Sequence, residues 1–381
     1  MKVSGDWLTA ETTQAVFTAL QAQGNNAFAV GGCVRNALMD VPVTDVDIAT
    51  DATPEQVQSL ANDAGLKPVP TGLEHGTITV VADGTGYEVT TFRADTETDG
   101  RHAVVRFSTD MSEDAARRDF TMNALYADAH GTVIDPLGGL PDLMARRVRF
   151  IGDAQDRITE DYLRILRFFR FAAWYGDPND GFDADALAAI AGNLDGLNGL
   201  SRERVGGEIV KLLTAANPAP AIGSMAQTGV LQTVLSGSDP RALVPLVHLE
   251  EVVSCDPDPL RRLASLGVFE GASLRLSKKD QRRLALYQSL ISSTEPALEL
   301  GYRHGAMIAI DALLLRSAML ETPLDPDAIS AANQGSAATF PVKPADLMPA
   351  YTGPALGEKL RVLEDRWIAS GCALSKSDLL G

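Results

Sequence analysis

The chain has 381 residues, of which 45% are hydrophobic and 22% are charged, as in folded globular proteins. This length exceeds what one hydrophobic core usually serves, so we expect at least two domains. The net charge of −17 argues against a protein that wraps nucleic acid with a uniformly basic surface, but it leaves room for a local cluster of arginines.

The first 140 residues predict a small α/β domain built on a mixed or mostly antiparallel sheet. Its predicted helices cover residues 4–23 and 34–39, and a third is capped by Thr53, starts at Pro54 and ends near Gly65. The predicted strands cover residues 27–30, 42–49, 77–82, 87–93 and 104–108, with a polar loop over residues 95–102.

From about residue 143 onward the sequence pattern is almost wholly helical. The clearest predicted helices cover residues 158–174, 183–194, 201–215 and 357–370, with a hinge or loop at 216–221 and an irregular stretch over 322–358. We therefore predict an α+β protein with a mixed-sheet domain at residues 1–140, a helical segment at 141–215 and a helical remainder at 216–381.

Two aspartates one residue apart, Asp45 and Asp47, are the first candidates for catalysis. On the predicted strand over residues 42–49 they would point to the same face, where both can ligate Mg²⁺. Glu88, early in a strand that could pair beside them, is the candidate for a third carboxylate. Such a set assists phosphoryl transfer, whereas the alternative is a group of solvated surface acids.

A glycine pair, Gly31 and Gly32, lies between a predicted strand and a predicted helix. Glycines at such a turn let backbone N–H groups approach a phosphate closely, and the helix N-terminus adds a favourable dipole. Arg35, one turn into the helix, can reach the same anion. The turn therefore predicts a triphosphate site beside the aspartates, although an ordinary tight turn would show the same pair.

A second candidate cluster is formed by Arg118, Asp119 and Asn123. If residues 117–125 are helical, Asp119 and Asn123 lie four residues apart on one face, where they could bind ribose hydroxyls while Arg118 approaches phosphate. The alternative is a charged, solvated helix face.

The third cluster, Asp161 and Arg164, offers an acceptor and a donor on one face of the predicted helix over residues 158–174. Cytosine and adenine each present a ring nitrogen acceptor beside an amino donor, which matches this pair. Guanine and uracil present the opposite order and would leave both protein groups mispaired, at about 1–3 kcal/mol for each unmade hydrogen bond. The alternative is a simple intrahelical ion pair.

These motifs occur in one order, and together they resemble the class II nucleotidyltransferases, the family of CCA-adding enzymes and bacterial poly(A) polymerases. The resemblance covers residues 27–215. It is carried by Gly31-Gly32-x-x-Arg35, Asp45-x-Asp47, Glu88-Val-Thr-Thr-Phe-Arg93, Asp99-Gly-Arg-His102, Arg117-Arg-Asp119 with Asn123, Asp135-Pro-Leu-Gly-Gly139 and Glu160-Asp161-x-x-Arg164.

The resemblance implies a catalytic head, a helical neck that recognises the base, and a helical body and tail that bind tRNA. It implies that Asp45 and Asp47 hold catalytic Mg²⁺, with Glu88 as a further catalytic residue. Asn36 stands where the family commonly has aspartate, which puts a charge role there in doubt and leaves a helix-capping role open. The implied nucleotide-binding residues are Gly31, Gly32, Arg35, Arg118, Asp119, Asn123, Asp161, Arg164 and Arg167.

The resemblance implies template-independent addition of C, C and A from CTP and ATP to the tRNA acceptor end. Two alternatives stay open: a poly(A) polymerase with the same head motifs, and an RNA-binding module without catalysis. Cys33, Cys255 and Cys372 form no C-x-x-C pair, which fits a reducing cytoplasm. The sequence predicts neither membrane attachment nor an obligate protein partner.

Overall fold

The structure is a computed structural model that describes residues 1–99 and 102–381, apart from the side chains of residues 74 and 95–105. The chain divides into two compact units, Met1–Val234 and Leu235–Gly381. The first unit contains strands and helices, and the second contains helices in its described residues. The predicted α+β class is confirmed.

The strands of the first unit form a seven-stranded mixed sheet and a separate two-stranded ribbon in the described residues. The sheet order is β3-β4-β5-β2-β1-β8-β9, and β6 pairs with β7. These strands are β1 (Ala27–Val30), β2 (Asp47–Thr50), β3 (Lys67–Gly72), β4 (Thr77–Ala82), β5 (Thr85–Thr91), β6 (Arg93–Asp99), β7 (His102–Phe107), β8 (Tyr126–Ala127) and β9 (Val133–Ile134).

Helices of the first unit cover the sheet and then continue as an all-helical segment. They are α1 (Asp6–Thr9), α2 (Glu11–Gln21), α3 (Gly32–Leu38), α4 (Pro54–Asp63), α5 (Met111–Ala116), α6 (Leu140–Met144), α7 (Ala154–Glu160), α8 (Leu163–Tyr175), α9 (Ala184–Ala191), α10 (Arg202–Leu213), α11 (Ala219–Gln227) and α12 (Val230–Val234).

Local sequence signals account for several of these elements. Thr53 caps α4 through a reciprocal capping box with Gln56, and Pro54 occupies the first helical position as predicted. The hairpin of β4 and β5 is also confirmed. In the helical segment, α8 packs its aromatic side chains against the chain leading from the sheet, with Phe171 4.8 Å and Phe168 6.3 Å from Phe120 between ring centroids.

Four predictions for the first unit were wrong in detail. The helix predicted over residues 4–23 is two helices, and the strand predicted over 42–49 begins only at Asp47. The polar loop predicted over 95–102 largely belongs to β6, which pairs with β7. β3 was missed; it lies at the sheet edge, where its two prolines interrupt no inner ladder.

The helix predicted over residues 158–174 is interrupted at Asp161, which has an extended backbone with φ −152°. Its carboxylate accepts a hydrogen bond from the Leu163 N–H at 3.1 Å and so caps the start of α8. Residues 117–125 do not form one helix either, because only a short 3₁₀ turn over Thr121–Asn123 follows α5. The loop predicted at 216–221 ends where α11 starts at Ala219.

The second unit is helical in the residues that the structure describes. The stretch predicted to be irregular over residues 322–358 contains a full helix, α18. The helices are α13 (Leu243–Val252), α14 (Pro259–Ser265), α15 (Lys278–Ile291), α16 (Ala297–His304), α17 (Ala306–Met319), α18 (Ala328–Ala337), α19 (Gly353–Ala369) and α20 (Lys376–Leu380).

The predicted boundaries at residues 140 and 215 stay predictions, since the division into compact units falls at a different point, between Val234 and Leu235. Within the described residues, no helix is long and apolar enough to cross a membrane.

Candidate active site

The sheet brings the predicted catalytic carboxylates together at the start of β2. This strand pairs in parallel with β5, and the register sets Asp47 directly beside Glu88. Asp45 lies two residues before Asp47, outside the strand, so the shared-face argument from strand geometry applied to the wrong segment. The three carboxylates nevertheless lie near one another, since both Glu88 and Asp45 raise the pKa of Asp47.

Loss of hydration raises the pKa of Asp47, and the neighbouring charges of Glu88 and Asp45 raise it further. All three carboxylates are exposed to solvent, and none is ion-paired in the described part of the chain. A cation placed among them would relieve this repulsion. Their oxygen atoms are the donors that Mg²⁺ prefers in proteins.

The described residues contain no preformed group of three or more His, Cys, Asp or Glu side chains that could hold a metal ion. This finding is compatible with Mg²⁺, which commonly takes one or two carboxylates and completes its shell with water and substrate phosphate oxygens. Asp45 and Asp47 therefore fit a site that forms fully only with a nucleotide present.

The glycine turn lies beside these carboxylates, between β1 and α3. Gly31 has φ +71° and ψ −117°, a conformation that favours glycine, and its N–H donates to the Leu125 carbonyl at 3.0 Å. A Cβ added at Gly31 would lie 3.4 Å from Arg118 Nη1 and 3.6 Å from Asn123 Oδ1. These two polar groups therefore lie directly against the turn.

Arg118 is tethered so that its remaining guanidinium nitrogen faces this turn. Its Nη2 donates to Asp114 Oδ2 at 3.1 Å, and its Nε lies 3.3 Å from the hydroxyl of Tyr126. Burial alone would lower the pKa of Arg118, but Tyr126 and Asp114 hold it above its ordinary value. A cation with fixed geometry and one free end suits phosphate binding, as predicted for Arg118.

Arg35 does not face the turn as an open phosphate ligand. Only 6% of it is exposed, and its guanidinium donates to Asn123 Oδ1 at 2.7 Å and to the Tyr175 hydroxyl at 2.8 Å. It also donates to Asn36 Oδ1 at 2.9 Å. The position of Arg35 on the helix was expected to direct it at the anion, but it buries the side chain instead. This geometry supports an indirect role in triphosphate binding.

Asp119 and Asn123 contact each other as predicted, although they are not on a common helix. Asn123 Nδ2 donates to Asp119 Oδ1 at 3.1 Å, and the Phe120 N–H donates to the same oxygen at 2.9 Å. Arg167 on α8 donates through Nε to Asp119 Oδ2 at 2.7 Å. Although burial opposes its charge, this arginine holds the pKa of Asp119 below its ordinary value. Arg167 thus joins the predicted ribose cluster through Asp119.

The two side chains predicted to read the base make no ion pair with each other. Asp161 Oδ2 instead accepts a hydrogen bond from Arg204 Nη2 at 2.6 Å. The alternative of a simple intrahelical pair is therefore wrong, because Asp161 interrupts the helix and pairs with a residue on α10. One carboxylate can accept several hydrogen bonds, so Asp161 keeps the capacity to accept from a base amine.

Arg164 is held by three acceptors within the first unit. Its Nη1 donates to the Arg157 carbonyl at 2.9 Å and to Glu160, and its Nη2 donates to the Arg117 carbonyl at 3.1 Å. A guanidinium carries five N–H donors, so two remain available after these contacts in the described part of the chain. Both predicted base-reading groups are thus fixed in place before any base arrives.

The motif Asp99-Gly-Arg-His102 lies outside the described residues, apart from the backbone at its two ends.

Four supporting residues received no role in the sequence predictions: Asp114, Tyr126, Tyr175 and Glu160. A sequence signal existed for two of them, since Asp114 lies four residues before Arg118 and Glu160 lies four before Arg164. The tyrosines carried no such signal, because their partners are distant in the chain.

The fold and this site define a nucleotidyltransferase with the head domain of the poly(A) polymerases: residues 27–149 match the family described as "Poly A polymerase head domain". Residues 181–240 match "Probable RNA and SrmB- binding site of polymerase A". Each match covers only part of the chain, so whole-length relatives decide the family.

The chain is 35% identical to mouse CCA tRNA nucleotidyltransferase 1, mitochondrial, over 95% of this chain and 88% of that protein. It is 31% identical to the CCA-adding enzyme of Limosilactobacillus fermentum over 97% and 95% of the two chains. The Bacillus stearothermophilus CCA-adding enzyme in complex with CTP superposes with a TM-score of 0.71 at 28% identity, covering 94% and 93%. The chain belongs to the family of CCA-adding enzymes, the CCA tRNA nucleotidyltransferases.

Proposed function

We propose that this chain adds C, C and A, from CTP and ATP, to the 3′ end of tRNA without a nucleic-acid template. The proposal depends above all on one observation. Three exposed carboxylates without an ion pair among the described residues, Asp45, Asp47 and Glu88, converge beside the glycine turn that Arg118 faces. The whole-length similarity to CCA tRNA nucleotidyltransferases gives this phosphoryl-transfer site its substrates.

In the proposed reaction, the 3′-hydroxyl oxygen of tRNA forms a bond to the α-phosphorus of the nucleotide, and the bond from that phosphorus to the bridging oxygen breaks. Pyrophosphate leaves, and the hydroxyl proton passes to solvent. Asp45 and Asp47 would hold Mg²⁺, which would stabilise the charge that develops on the phosphoryl oxygens. Arg118, with the Gly31–Gly32 turn, orients the triphosphate so that the α-phosphorus faces the tRNA end.

Base selection follows from the fixed orientation of Asp161 and Arg164. Arg204 holds the carboxylate, and the carbonyls of Arg117 and Arg157 hold the guanidinium. A base with a ring acceptor beside an amine, cytosine or adenine, satisfies both groups. Guanine or uracil would leave a charged group without its hydrogen bond, which is more costly than a neutral mismatch.

The cognate RNA and the cellular compartment are further parts of this proposal. We predict that the helical second unit recognises tRNA by its shape and by contacts to its backbone. This binding should weaken as the salt concentration rises. The cytoplasmic location inferred from the cysteines stays a prediction, and the mouse relative is named as a mitochondrial protein.

The test is extension of a tRNA transcript that ends at the discriminator base, with Mg²⁺ and labelled nucleotides offered separately and together. We expect addition of C, C and then A, with no incorporation of G or U. Long adenosine tails would instead identify a poly(A) polymerase, the alternative that has the same head motifs. No pyrophosphate release with any nucleotide would contradict both.

A further inference from the structure

Tyr175, the last residue of α8, holds the buried Arg35 by two contacts at once. Its hydroxyl accepts a hydrogen bond from Arg35 Nη2 at 2.8 Å, and its ring centroid lies 3.9 Å from Arg35 Cζ. Both residues are buried, with 8% of Tyr175 and 6% of Arg35 exposed. A guanidinium in such a place loses much of its hydration, and its position therefore depends strongly on its protein partners.

The partners of Arg35 are neutral. Besides Tyr175, its guanidinium contacts the side-chain oxygens of Asn36 and Asn123, and no carboxylate forms an ion pair with it in the part of the chain that the structure describes. Its Nη2 lies 3.8 Å from where a Cβ of Gly32 would be. Arg35 thus places a positive charge, without a direct ion pair among the described residues, behind the glycine turn, where it favours a bound anion.

Asn36 extends this contact toward the catalytic carboxylates. Its oxygen accepts from Arg35, and its Nδ2 donates to the Pro42 carbonyl at 3.0 Å. Pro42 lies three residues before Asp45, in the irregular segment that leads into β2. The Asn36 amide can accept from the arginine and donate to the carbonyl together, whereas an ionised aspartate here would have no N–H or O–H to give.

The opposite end of the same network returns to α8. Asn123 accepts from Arg35 and donates to Asp119, and Asp119 accepts from Arg167. Arg167 and Tyr175 lie eight residues apart on α8, about 12 Å along its axis. Helix α8 therefore contacts the residues around the glycine turn at two separate points, through Arg167 and through Tyr175.

We propose that Tyr175 is a positioning residue for nucleotide binding: it fixes Arg35 behind the glycine turn and, through Asn36, the segment that carries Asp45. This inference rests on the proposed function, since it assigns a role at the same site. It concerns the triphosphate end, which all nucleotides share, so Tyr175 affects CTP and ATP alike and leaves base selection unchanged.

The test is the dissociation constant for CTP and for ATP, measured by calorimetry with Mg²⁺ on the full chain. Tyr175→Phe keeps the ring and removes the hydroxyl. We expect both dissociation constants to rise by the same factor, about tenfold, as is typical when a group that orients a ligand contact is lost. The tRNA dissociation constant should not change.

Trp174→Phe is the matched control, because it also removes one hydrogen bond of α8. The Trp174 indole donates to the Lys211 carbonyl at 2.8 Å. Its ring centroid lies 6.4 Å from that of Tyr175, and phenylalanine keeps an aromatic ring at that position. We expect it to leave nucleotide binding unchanged. Circular dichroism spectra and urea midpoints of both variants report on folding.

A double-mutant cycle separates positioning from general destabilisation. Because Tyr175 and Asn36 act through the same arginine, the Tyr175→Phe/Asn36→Ala double variant should bind CTP more tightly than the product of the two single effects predicts. The Trp174→Phe/Asn36→Ala pair should show the simple product. Asn36→Ala also tests the network by itself should Tyr175→Phe fold poorly.

Two results would overturn the inference alone. One is a Tyr175→Phe variant that binds CTP as tightly as the Trp174→Phe variant does. The other is a double-mutant cycle in which the two single effects simply multiply. A wild-type chain that binds neither CTP nor ATP would contradict the proposed function and this inference with it.

Discussion

In the second unit, Glu250 and Asp311 are buried and each is ion-paired with two arginines, whereas Asp45, Asp47 and Glu88 in the first unit are exposed and unpaired among the described residues. The buried acids join α13, α14, α15 and α17. Glu250 accepts from Arg261 and Arg262, and Asp311 accepts from Arg261, Arg283 and Tyr287.

The contrast separates charges that hold a fold together from charges that await a ligand. In the closed network, every carboxylate oxygen accepts from a donor of the protein itself, and both carboxylates are buried, so a substrate does not reach them. At the start of β2 the acids repel one another, and the raised pKa of Asp47 reflects first its lost hydration and then that repulsion. Such a site is less favourable in the free protein and becomes favourable only when a cation and a phosphate complete it.

The largest effect on stability should come from opening the closed network. Asp311→Ala removes a buried acceptor that Arg261 and Arg283 share, and leaves Glu250 and Asp258 as their respective carboxylate partners. The network then holds an excess of positive charge in the interior, which should cost about 3–5 kcal/mol. Urea unfolding followed by Trp367 fluorescence, in a Trp7→Phe/Trp174→Phe background, measures this in the second unit. Trp367 is the single tryptophan of residues 235–381.

Asp365→Ala is the control for that measurement, since Asp365 is 56% exposed and pairs with Arg303 at 3.2 Å. We expect a change below about 1 kcal/mol. Equal losses in the two variants would mean that burial of Asp311 contributes nothing, and the comparison would fail.

A smaller effect is expected on base selection. Arg164→Ala removes the donor to the ring nitrogen, so discrimination of CTP against UTP should fall by about 1–3 kcal/mol, between roughly fivefold and 150-fold. Sequencing of products from mixed nucleotides gives the ratio. Arg164→Lys, which keeps the charge but not the planar donors, should also lose discrimination. Continued refusal of UTP by both variants would remove Arg164 from base recognition.

The smallest effect is a change in pH dependence. Although burial opposes its charge, Arg118 and Arg117 hold the pKa of Asp114 below its ordinary value. The stability that this carboxylate contributes is present above the ordinary carboxyl pKa of about 3.9 and is lost as pH falls through the lowered value. Asp114→Asn removes that loss, so the free energy of unfolding of this variant should depend less on pH below about 4. The slope of that free energy against pH should differ from the wild-type slope by at most about 1.4 kcal/mol per pH unit.

Unfolding curves of the wild type and of Asp114→Asn between pH 2 and pH 6 measure this difference. Parallel curves would show that the tether of Arg118 does not depend on the Asp114 charge.

Local sequence signals predicted the features that neighbouring residues determine. The capping box at Thr53, the β4–β5 hairpin and the turn at Gly31 follow from turn and cap chemistry. The pairing of the Glu88 strand beside Asp47 was also anticipated, because both strands carried clear β patterns.

Features that depend on distant partners could not be predicted. Asp161 pairs with Arg204, 43 residues away, and Asp119 with Arg167, 48 residues away. Spacing rules reach only three or four residues along a helix, so they placed Arg164 beside Asp161 and missed the interruption between α7 and α8. The apolar periodicity continues through that interruption, which explains why one helix was predicted.

The most direct test of the account combines turnover and stability in one variant, Asp45→Ala/Asp47→Ala. The rate at which tRNA is extended with CTP should fall at least about a thousandfold, since metal-assisted stabilisation contributes several kcal/mol. The urea midpoint should stay unchanged or rise, because the variant removes carboxylates that repel each other. Retained turnover would show that the reaction does not need these aspartates, and a lower midpoint would show that they stabilise the fold. Either result would contradict the account.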